Sequence, residues 1–356
     1  MLKFSGRASA SGLVVAVAMT SFACAATAAE PASIAPSTIA PSKIEDARID
    51  RWDPAMDAIV PKDWKVEKIA EGFGWAEGPI WVKSGGYLLF TDVPGNKMWK
   101  WSEKGGLEKF LDPSGAATFD PAIWREAGAN GLAIDGPNSI LVADTGNRGI
   151  QRLDLKTKQK TPIAMAFEGK KFSSPNDVAK TKNGVVFFTD PPYGFRKFDA
   201  APEKEIAFNG VYRMAKDSKV TVIEKELTRP NGVALSPDER TLYVAQSEGT
   251  KAIINAYVLD AKGEVVSKRL FHDATDLVVP GSPGAPDGLT VAADGTVFTS
   301  APGGVLVLSK DGKRLGRIWD GKQTANCKFG DDGKTLYMAS SNMVARIRLN
   351  IKGQGF

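Results

Sequence analysis

From about residue 64 onward, short apolar runs alternate with turn residues, and the whole pattern recurs at a long interval. In one repeat, two apolar runs at 131–134 and 140–143 flank the turn Gly136-Pro137-Asn138. Runs of four to six residues bounded by Gly, Pro, Asn and Asp predict β-hairpins. Each repeat has room for about four strands and shows no helical periodicity between them, which favours propeller blades over alternating strands and helices.

A small polar residue stands just before the first apolar run of each repeat. The six phrases are Ala76-Glu77-Gly78-Pro79, Ala129-Asn130-Gly131-Leu132, Pro175-Asn176-Asp177-Val178, Pro230-Asn231-Gly232-Val233, Pro286-Asp287-Gly288-Leu289 and Ala325-Asn326-Cys327-Lys328. Their polar residues are 53, 46, 55, 56 and 39 positions apart, a spacing typical of propellers and solenoids. The sequence therefore predicts an all-β fold, a six-bladed β-propeller with four antiparallel strands per blade.

The sixth repeat contains only three predicted strands, so one strand of its blade must come from elsewhere in the chain. The run Trp64-Lys65-Val66-Glu67-Lys68-Ile69 precedes the first repeat and can supply it. An N-terminal strand that completes the last blade would close the ring and cover an exposed sheet edge. We place the propeller at residues 64–356.

The N-terminus has the pattern of a signal peptide. Lys3 and Arg7 precede a run of apolar and small residues at 8–23, and Ala26-Thr27-Ala28 offers a cleavage site. This run is shorter than the roughly 20 apolar residues of a spanning helix, which argues against a membrane anchor. We expect a signal peptide at 1–28, a flexible Pro-, Ala- and Ser-rich lead-in at 29–63, and a periplasmic or secreted protein without membrane attachment.

Composition excludes several classes of function. The net charge of +5, from 46 basic and 41 acidic residues, is small for 356 residues and is scattered, so nucleic acid is not an expected partner. With one histidine and two cysteines, the chain cannot assemble a zinc cage of nitrogen and sulfur ligands. It also lacks the Gly-x-Ser-x-Gly motif of many serine hydrolases, and we expect His272 and Cys327 to be non-catalytic.

The six repeated polar residues point to a cation site. In a propeller, the first residues of the inner strands surround one mouth of the central channel. Carboxylate and amide oxygens are ligands that Ca²⁺ or Mg²⁺ prefer, and Glu77 and Asp287 would balance a divalent charge. Zinc or manganese on oxygen ligands is an alternative. Asn and Asp before Gly also form ordinary turns, so each phrase alone is a weak signal.

Four of these motifs together resemble those of the senescence marker protein/gluconolactonase family. They are Glu77-Gly78-Pro79 with Trp81, Ser174-Pro175-Asn176-Asp177, Arg229-Pro230-Asn231-Gly232 and Pro286-Asp287-Gly288, and the resemblance covers roughly residues 65–350. It implies a six-bladed propeller with one catalytic divalent cation, and many family members hydrolyse sugar lactones. It also implies that Glu77, Asn231 and Asp287 bind the metal and that Asn176 is a fourth polar contact, as in the related diisopropyl-fluorophosphatase-type propellers.

Two positions depart from the family pattern. Animal members have arginine where this chain has Ser174, so the hydroxyl groups of a substrate must be held differently. Asn130 lies in a phrase closer to an NHL repeat, and we interpret it as pocket wall. In the resulting hypothesis, the cation polarises a lactone carbonyl and activates water, with Asp287 as the general base.

The loop after the second strand of the third repeat, Thr189-Asp190-Pro191-Pro192-Tyr193, should also reach the mouth. We predict that Asp190 and Tyr193 contact substrate there, although Asp190 could instead cap a turn and Tyr193 could pack between blades. Two other functions remain open: a non-catalytic NHL-like binding propeller, and a metal-dependent esterase or phosphotriesterase of the same fold. The paired carboxylates of Glu77 and Asp287 favour an enzyme over a binding scaffold.

Overall fold

Antiparallel hairpins dominate residues 36–356, the part of the chain that the computed structural model describes. The signal peptide predicted at 1–28 lies outside these residues. The described helical segments are the α-helix Ala55–Ile59 and the 3-10 turns Phe198–Ala200 and Thr275–Leu277. None of the described helices has the length and apolar character needed to cross a membrane.

The first three blades follow one another along the chain, each with its inner strand first. Blade 1 consists of Ala76–Val82, Tyr87–Asp92, Lys97–Ser102 and Gly106–Leu111. Blade 2 consists of Ala129–Gly136, Ser139–Asp144, Gly149–Asp154 and Lys160–Ala164, followed by the small hairpin Ala166–Phe167 and Lys170–Lys171. Blade 3 consists of Val178–Lys180, Val186–Asp190, Gly210–Met214 and Val220–Glu224.

The other three blades continue the pattern, and two of them gain strands from the N-terminal segment. Blade 4 consists of Pro230–Leu235, Thr241–Glu248, Lys251–Leu259 and Val265–Asp273. Blade 5 consists of Leu289–Val291, Val297–Ala301, Gly304–Leu308 and Arg314–Trp319, with Arg48–Arg51 at its outer edge. Blade 6 consists of Thr324–Gly330, Thr335–Ser340, Met343–Arg348 and Val66–Glu71, with Ser37–Lys43 outermost.

The six inner strands form a closed ring. Each contacts the inner strand of the next blade, and the inner strand of blade 6 contacts that of blade 1. The prediction of an all-β six-bladed propeller is therefore confirmed. In blade 6, Val66–Glu71 pairs antiparallel with Met343–Arg348, with Ala70 opposite Val344, so that an early strand and a late strand of the chain share one sheet.

The core of the described structure is divided among the interfaces between blades. Six clusters of buried apolar side chains occur, and each joins two neighbouring blades. Between blades 6 and 1, for example, the rings of Trp81 and Tyr337 stack with their centres 5.6 Å apart. Each fully buried large apolar side chain contributes about 1.5–3 kcal/mol. The blades are therefore held mainly by side-chain packing between sheets, which fixes the inner strands around the axis.

The lead-in predicted as flexible is ordered from residue 36 onward. Ser37–Lys43 pairs with Val66–Glu71, and Arg48–Arg51 pairs with Arg314–Trp319, so the segment adds edge strands to blades 6 and 5. Met56 and Ile59 of the short helix belong to the core between those blades. The Pro-, Ala- and Ser-rich composition was a misleading signal because edge strands tolerate proline, and a few apolar anchors suffice to fix such a segment.

Candidate active site at one mouth of the channel

The structure brings the six repeated polar residues together in ring order. Blade 6 meets blade 1 directly, because Asn326 Nδ2 donates to Glu77 Oε2 at 3.2 Å. Other bonds tie each phrase to its neighbour: Gly131 N to Asn176 O at 2.7 Å, Thr189 Oγ1 to Asn231 O at 2.7 Å, and Gly288 N to Ala325 O at 2.8 Å. The polar residues therefore surround one mouth of the channel, as the repeat pattern predicts.

The glycines after the polar residues allow this close approach. A Cβ on Gly78 would lie 2.2 Å from Asn130 O in the next blade, and Gly78 has a φ of +51°. A Cβ on Gly232 would lie 2.1 Å from Asp287 O. Contacts this short are forbidden to a side chain, so glycine is required where adjacent inner strands touch. The Asn-Gly and Glu-Gly pairs of the sequence thus have a packing role in addition to any chemical one.

Glu77 is a buried carboxylate at the start of the blade 1 inner strand. Its side chain accepts hydrogen bonds from Gly78 N at 2.9 Å and from Asn326 Nδ2 at 3.2 Å. Burial raises the pKa of Glu77 from 4.5 to about 7, because the charged form is deprived of water, and the charge of Asp177 adds to the rise. A cation at this carboxylate would favour the charged form and lower that pKa.

Asp287 begins the corresponding phrase of blade 5, where its backbone N–H donates to Ser300 Oγ at 2.9 Å. Burial raises the pKa of the Asp287 carboxyl well above its usual range, and the negative charges of Glu77, Asp177 and Glu126 raise it further. Several acidic groups are therefore close enough to repel one another across the mouth. Such an arrangement favours either bound protons or a bound cation.

Asn231 presents an unpaired oxygen. Its Nδ2 donates to Ser247 Oγ at 2.8 Å, and Ser247 Oγ in turn donates to Pro286 O at 2.6 Å. These bonds fix the orientation of the amide. Its Oδ1 is buried and has no hydrogen-bond partner in the described structure. A buried amide oxygen without a donor costs about 1–3 kcal/mol, and a cation would satisfy it.

Asn176 and Asn130 lie in the ring between Glu77 and Asn231. Both are nearly fully buried. Their backbone oxygens accept hydrogen bonds, from Gly131 N for Asn176 and from Thr91 Oγ1 for Asn130 at 3.0 Å. Their positions in the ring suit the predicted roles, Asn176 as a polar contact and Asn130 as pocket wall.

Tyr193 reaches the same mouth from the loop after the second strand of blade 3. Burial raises the pKa of its phenol, the nearby charge of Asp287 raises it further, and a hydrogen bond with Ser247 opposes the rise. Its backbone oxygen accepts from Arg125 Nε at 3.0 Å. The phenol therefore lies beside Asp287 and Ser247 as a neutral hydrogen-bonding group.

Asp190 has a different role from the predicted substrate contact. Its two oxygens accept from Ser173 N at 2.9 Å and Ser174 N at 2.7 Å, and burial raises its pKa to about 7. Asp92 acts in the same way in blade 1, where its Oδ1 accepts from Gly74 N and Trp75 N at 3.1 Å. Each aspartate ends a second strand and holds the backbone just before a ring residue, so we assign Asp190 to positioning Asn176.

Glu126 and Ser247 are site residues that the sequence analysis missed. Glu126 belongs to the segment 112–128 between blades 1 and 2, and its Oε1 pairs with Arg125 Nη2 at 2.5 Å. Its charge raises the pKa of both Glu77 and Asp287. The sequence signal for Glu126 is only that an acidic residue lies four positions before Asn130. No motif marks Ser247.

The donor set fits a hard divalent cation. It combines the buried carboxylate of Glu77 and the half-buried carboxylate of Asp287 with the unpaired Oδ1 of Asn231 and the neighbouring amide of Asn176. In the described residues, no group of three or more His, Cys, Asp or Glu side chains is arranged to hold a metal. The site is thus a mixed carboxylate and amide site, of the kind that suits Ca²⁺ or Mg²⁺, and it offers no nitrogen or sulfur cage.

Residues 75–342 match the family model for the SMP-30/Gluconolactonase/LRE-like region. The chain belongs to this family. It is 41% identical over 310 residues to a gluconolactonase of Zymomonas mobilis, covering 86% of this chain and 87% of that protein. It is 25% identical over 272 residues to a pentonolactonase of Haloferax volcanii, covering 74% and 81%. A solved gluconolactonase structure from Xanthomonas campestris superposes with a TM-score of 0.75 at 28% identity, covering 88% of this chain and 98% of that one.

Proposed function

We propose that this protein is a divalent-cation-dependent lactonase that opens sugar lactones to hydroxy acids at the mouth formed by the polar ring. The observation that carries the proposal is the convergence of the buried carboxylate of Glu77 and the half-buried carboxylate of Asp287 with the Oδ1 of Asn231, which is unpaired among the described residues. The similarity to gluconolactonases and to a pentonolactonase supports a sugar lactone as substrate.

The reaction adds water across an ester bond within a ring. The water oxygen bonds to the carbonyl carbon, the bond from that carbon to the ring oxygen breaks, and the ring oxygen takes up a proton. Negative charge develops on the carbonyl oxygen as the water attacks, and a proton must leave the water. The site therefore needs a group that accepts a proton and a positive environment for the carbonyl oxygen.

Asp287 is the proposed proton acceptor. Burial and neighbouring acids make its carboxylate more basic than that of a surface aspartate, which would partly offset the lowering of its pKa by a bound cation. After accepting the proton from water, its carboxyl can return a proton to the departing ring oxygen. Glu77 is proposed as a cation ligand and not as the base, since its Oε2 already accepts hydrogen bonds from Gly78 N and Asn326 Nδ2.

Glu77, Asn231, Asp287 and Asn176 are the proposed ligands of the cation, with Ca²⁺ as the first choice. When bound, the cation would stabilise the negative charge on the carbonyl oxygen and make water more acidic. Ser247 positions the amide of Asn231 so that Oδ1 faces the mouth. Hydrogen bonds that orient a metal ligand in this way commonly affect metal affinity.

The hydroxyl groups of a sugar need partners other than the arginine of animal family members. Ser174 occupies that place, but its Oγ is engaged by Pro191 O at 2.5 Å and Gly194 N at 2.9 Å. The phenol of Tyr193 and the amides of Asn130 and Asn176 are the proposed partners. They offer both donors and acceptors, as a polyhydroxylated ring requires.

The test is hydrolysis of glucono-1,5-lactone followed by pH-stat, first after chelation and then with Ca²⁺, Mg²⁺, Mn²⁺ or Zn²⁺ added back singly. We expect turnover well above the spontaneous rate only when a cation is restored. Turnover that persists fully after chelation, with no metal detected in the protein, would refute cation dependence. Binding of a cation without hydrolysis of any aldonolactone would refute the proposed substrate class.

A further inference from the structure

The channel has a second mouth, and a cavity of about 760 Å³ lies there. The inner strands begin at the polar ring and run to this opposite mouth, so their final residues line the cavity, together with the turns that follow. These lining residues include Val82, Ile134, Lys180, Leu235 and Lys328. The volume is in the range of cavities that hold drug-sized molecules.

The walls of this cavity are mainly apolar. Ile134 lines the cavity and is 44% exposed. Ile80, Leu132, Val178 and Val233 also line it, but they are nearly fully buried in the cores between blades, so they form the apolar base of the wall. An exposed isoleucine in a concave apolar wall gains free energy when an apolar group covers it. The walls therefore favour a ligand with a hydrophobic body, which a polyhydroxylated sugar lacks.

The charge of the cavity is positive. Four lysines line it, Lys83, Lys180, Lys182 and Lys328, against a single acidic residue, Glu239. Lys180 is paired with Asp135, whereas the half-buried Lys328 forms no ion pair among the described residues, although its charge opposes the rise in the pKa of the buried Asp177 carboxyl. In the described part of the chain, its Nζ has one hydrogen bond, a long contact of 3.4 Å with Leu289 O.

From these observations, we propose that the cavity at the second mouth binds an amphipathic organic anion. Its aliphatic or aromatic body would lie against Ile134, and its carboxylate would lie at Lys328. A partly desolvated ammonium with unused donors is the group that would recognise a carboxylate. The apolar walls would accept the rest of the molecule. This site is separate from the polar ring and takes a different class of ligand.

The proposal can be tested with 8-anilinonaphthalene-1-sulfonate as a fluorescent probe and decanoate as competitor, with neutral decanol as its matched control. We expect saturable probe binding, displacement by decanoate, and at least about tenfold weaker displacement by decanol. The variant Ile134→Glu should weaken decanoate binding at least about tenfold, because it places a negative charge in the wall. Leu270→Glu is the matched control, since Leu270 is 53% exposed on the outer strand of blade 4, and it should bind as wild type does.

Two further variants test whether the charge of Lys328 contributes to binding and whether the cavity is independent of the polar ring. Lys328→Met keeps the unbranched apolar stem, one atom shorter, and removes the charge, so decanoate affinity should fall while decanol affinity stays the same. Asp287→Asn changes the opposite mouth and should leave decanoate binding unchanged. Equal binding of decanol and decanoate, wild-type affinity in Ile134→Glu, or loss of binding in Asp287→Asn would each overturn the proposal. The absence of saturable probe binding would do so as well.

Discussion

The buried carboxyl of Glu77 should make the stability of the cation-free protein fall as pH rises. Burial raises its pKa from 4.5 to about 7. Below pH 4.5 the group is protonated in both the folded and the unfolded chain. Between pH 4.5 and 7 the unfolded chain loses the proton first, so the folded state progressively loses stability. Above pH 7 the full cost of the buried charge is present.

The size of this effect follows from the pKa difference. Each pKa unit corresponds to about 1.4 kcal/mol, so a rise from 4.5 to about 7 amounts to about 3 kcal/mol. Glutamine has nearly the same shape and no charge. The free energy of unfolding of Glu77→Gln, relative to wild type, should therefore increase by about 3 kcal/mol between pH 4 and pH 8. In a domain of this size, such a change moves Tm by roughly 6 °C.

The assay is urea unfolding of chelated wild type and Glu77→Gln at both pH values. Comparing the two proteins cancels the titration of acids that the Glu77 charge does not shift, such as Asp177 and Asp190. Removal of that charge also lowers the pKa of Asp287, which changes the difference between the two proteins in the same direction. Glu226→Gln is a matched control, because it makes the same substitution at a side chain that is 80% exposed, and the pH-dependent difference should be smaller there than for Glu77→Gln. A pH-independent difference for Glu77→Gln would refute the reasoning, as would a difference of opposite sign.

Four further outcomes follow from the proposed site. Asp287→Asn should lose about 10²–10⁴ in kcat in pH-stat assays while circular dichroism shows an unchanged fold. Ser247→Ala should weaken calcium binding about 10–100-fold by calorimetry, because the amide of Asn231 is no longer oriented. Tyr193→Phe should reduce kcat/KM for glucono-1,5-lactone about fivefold, the value of one hydrogen bond, without changing calcium affinity. Calcium binding to wild type at pH 6 should release protons, detected by calorimetry in buffers of different ionisation enthalpy, and this release should fall as pH rises above the pKa of Glu77.

Much of the fold follows from the sequence because a propeller repeats one short unit. The phrase around Asn231 begins the first strand of its blade, and this phrase and the three strands that follow recur with the same turn chemistry elsewhere in the chain, so the repeats identify both the blade and its inner strand. The ring positions of Glu77, Asn176 and Asp287 follow because each residue has the same place within its repeat. Periodicity of this kind needs no knowledge of long-range contacts.

The missed residues depend on contacts that periodicity does not encode. Ser247 ends the second strand of blade 4, and its importance comes from the bonds that it makes with Asn231 and Pro286. Glu126 lies in an irregular segment outside the repeats. For Asp190 the sequence left two roles open, substrate contact and turn cap, because its proximity to the mouth was predictable whereas the direction of its oxygens, toward Ser173 and Ser174, was not.

Without a cation the ring would be an unfavourable arrangement, which the rest of the fold maintains. Glu77 and Asp287 repel each other, and Asn231 Oδ1 has no hydrogen-bond partner among the described residues. None of these groups can relax easily, because neighbouring inner strands are in direct contact at Gly78 and Gly232 and the cores between blades fix the strands behind them. A site held open in this way needs little ordering when a cation arrives. Binding of a cation would therefore remove the repulsion between the two carboxylates. The same repulsion that would destabilise the protein without a cation would make the site selective for a divalent cation.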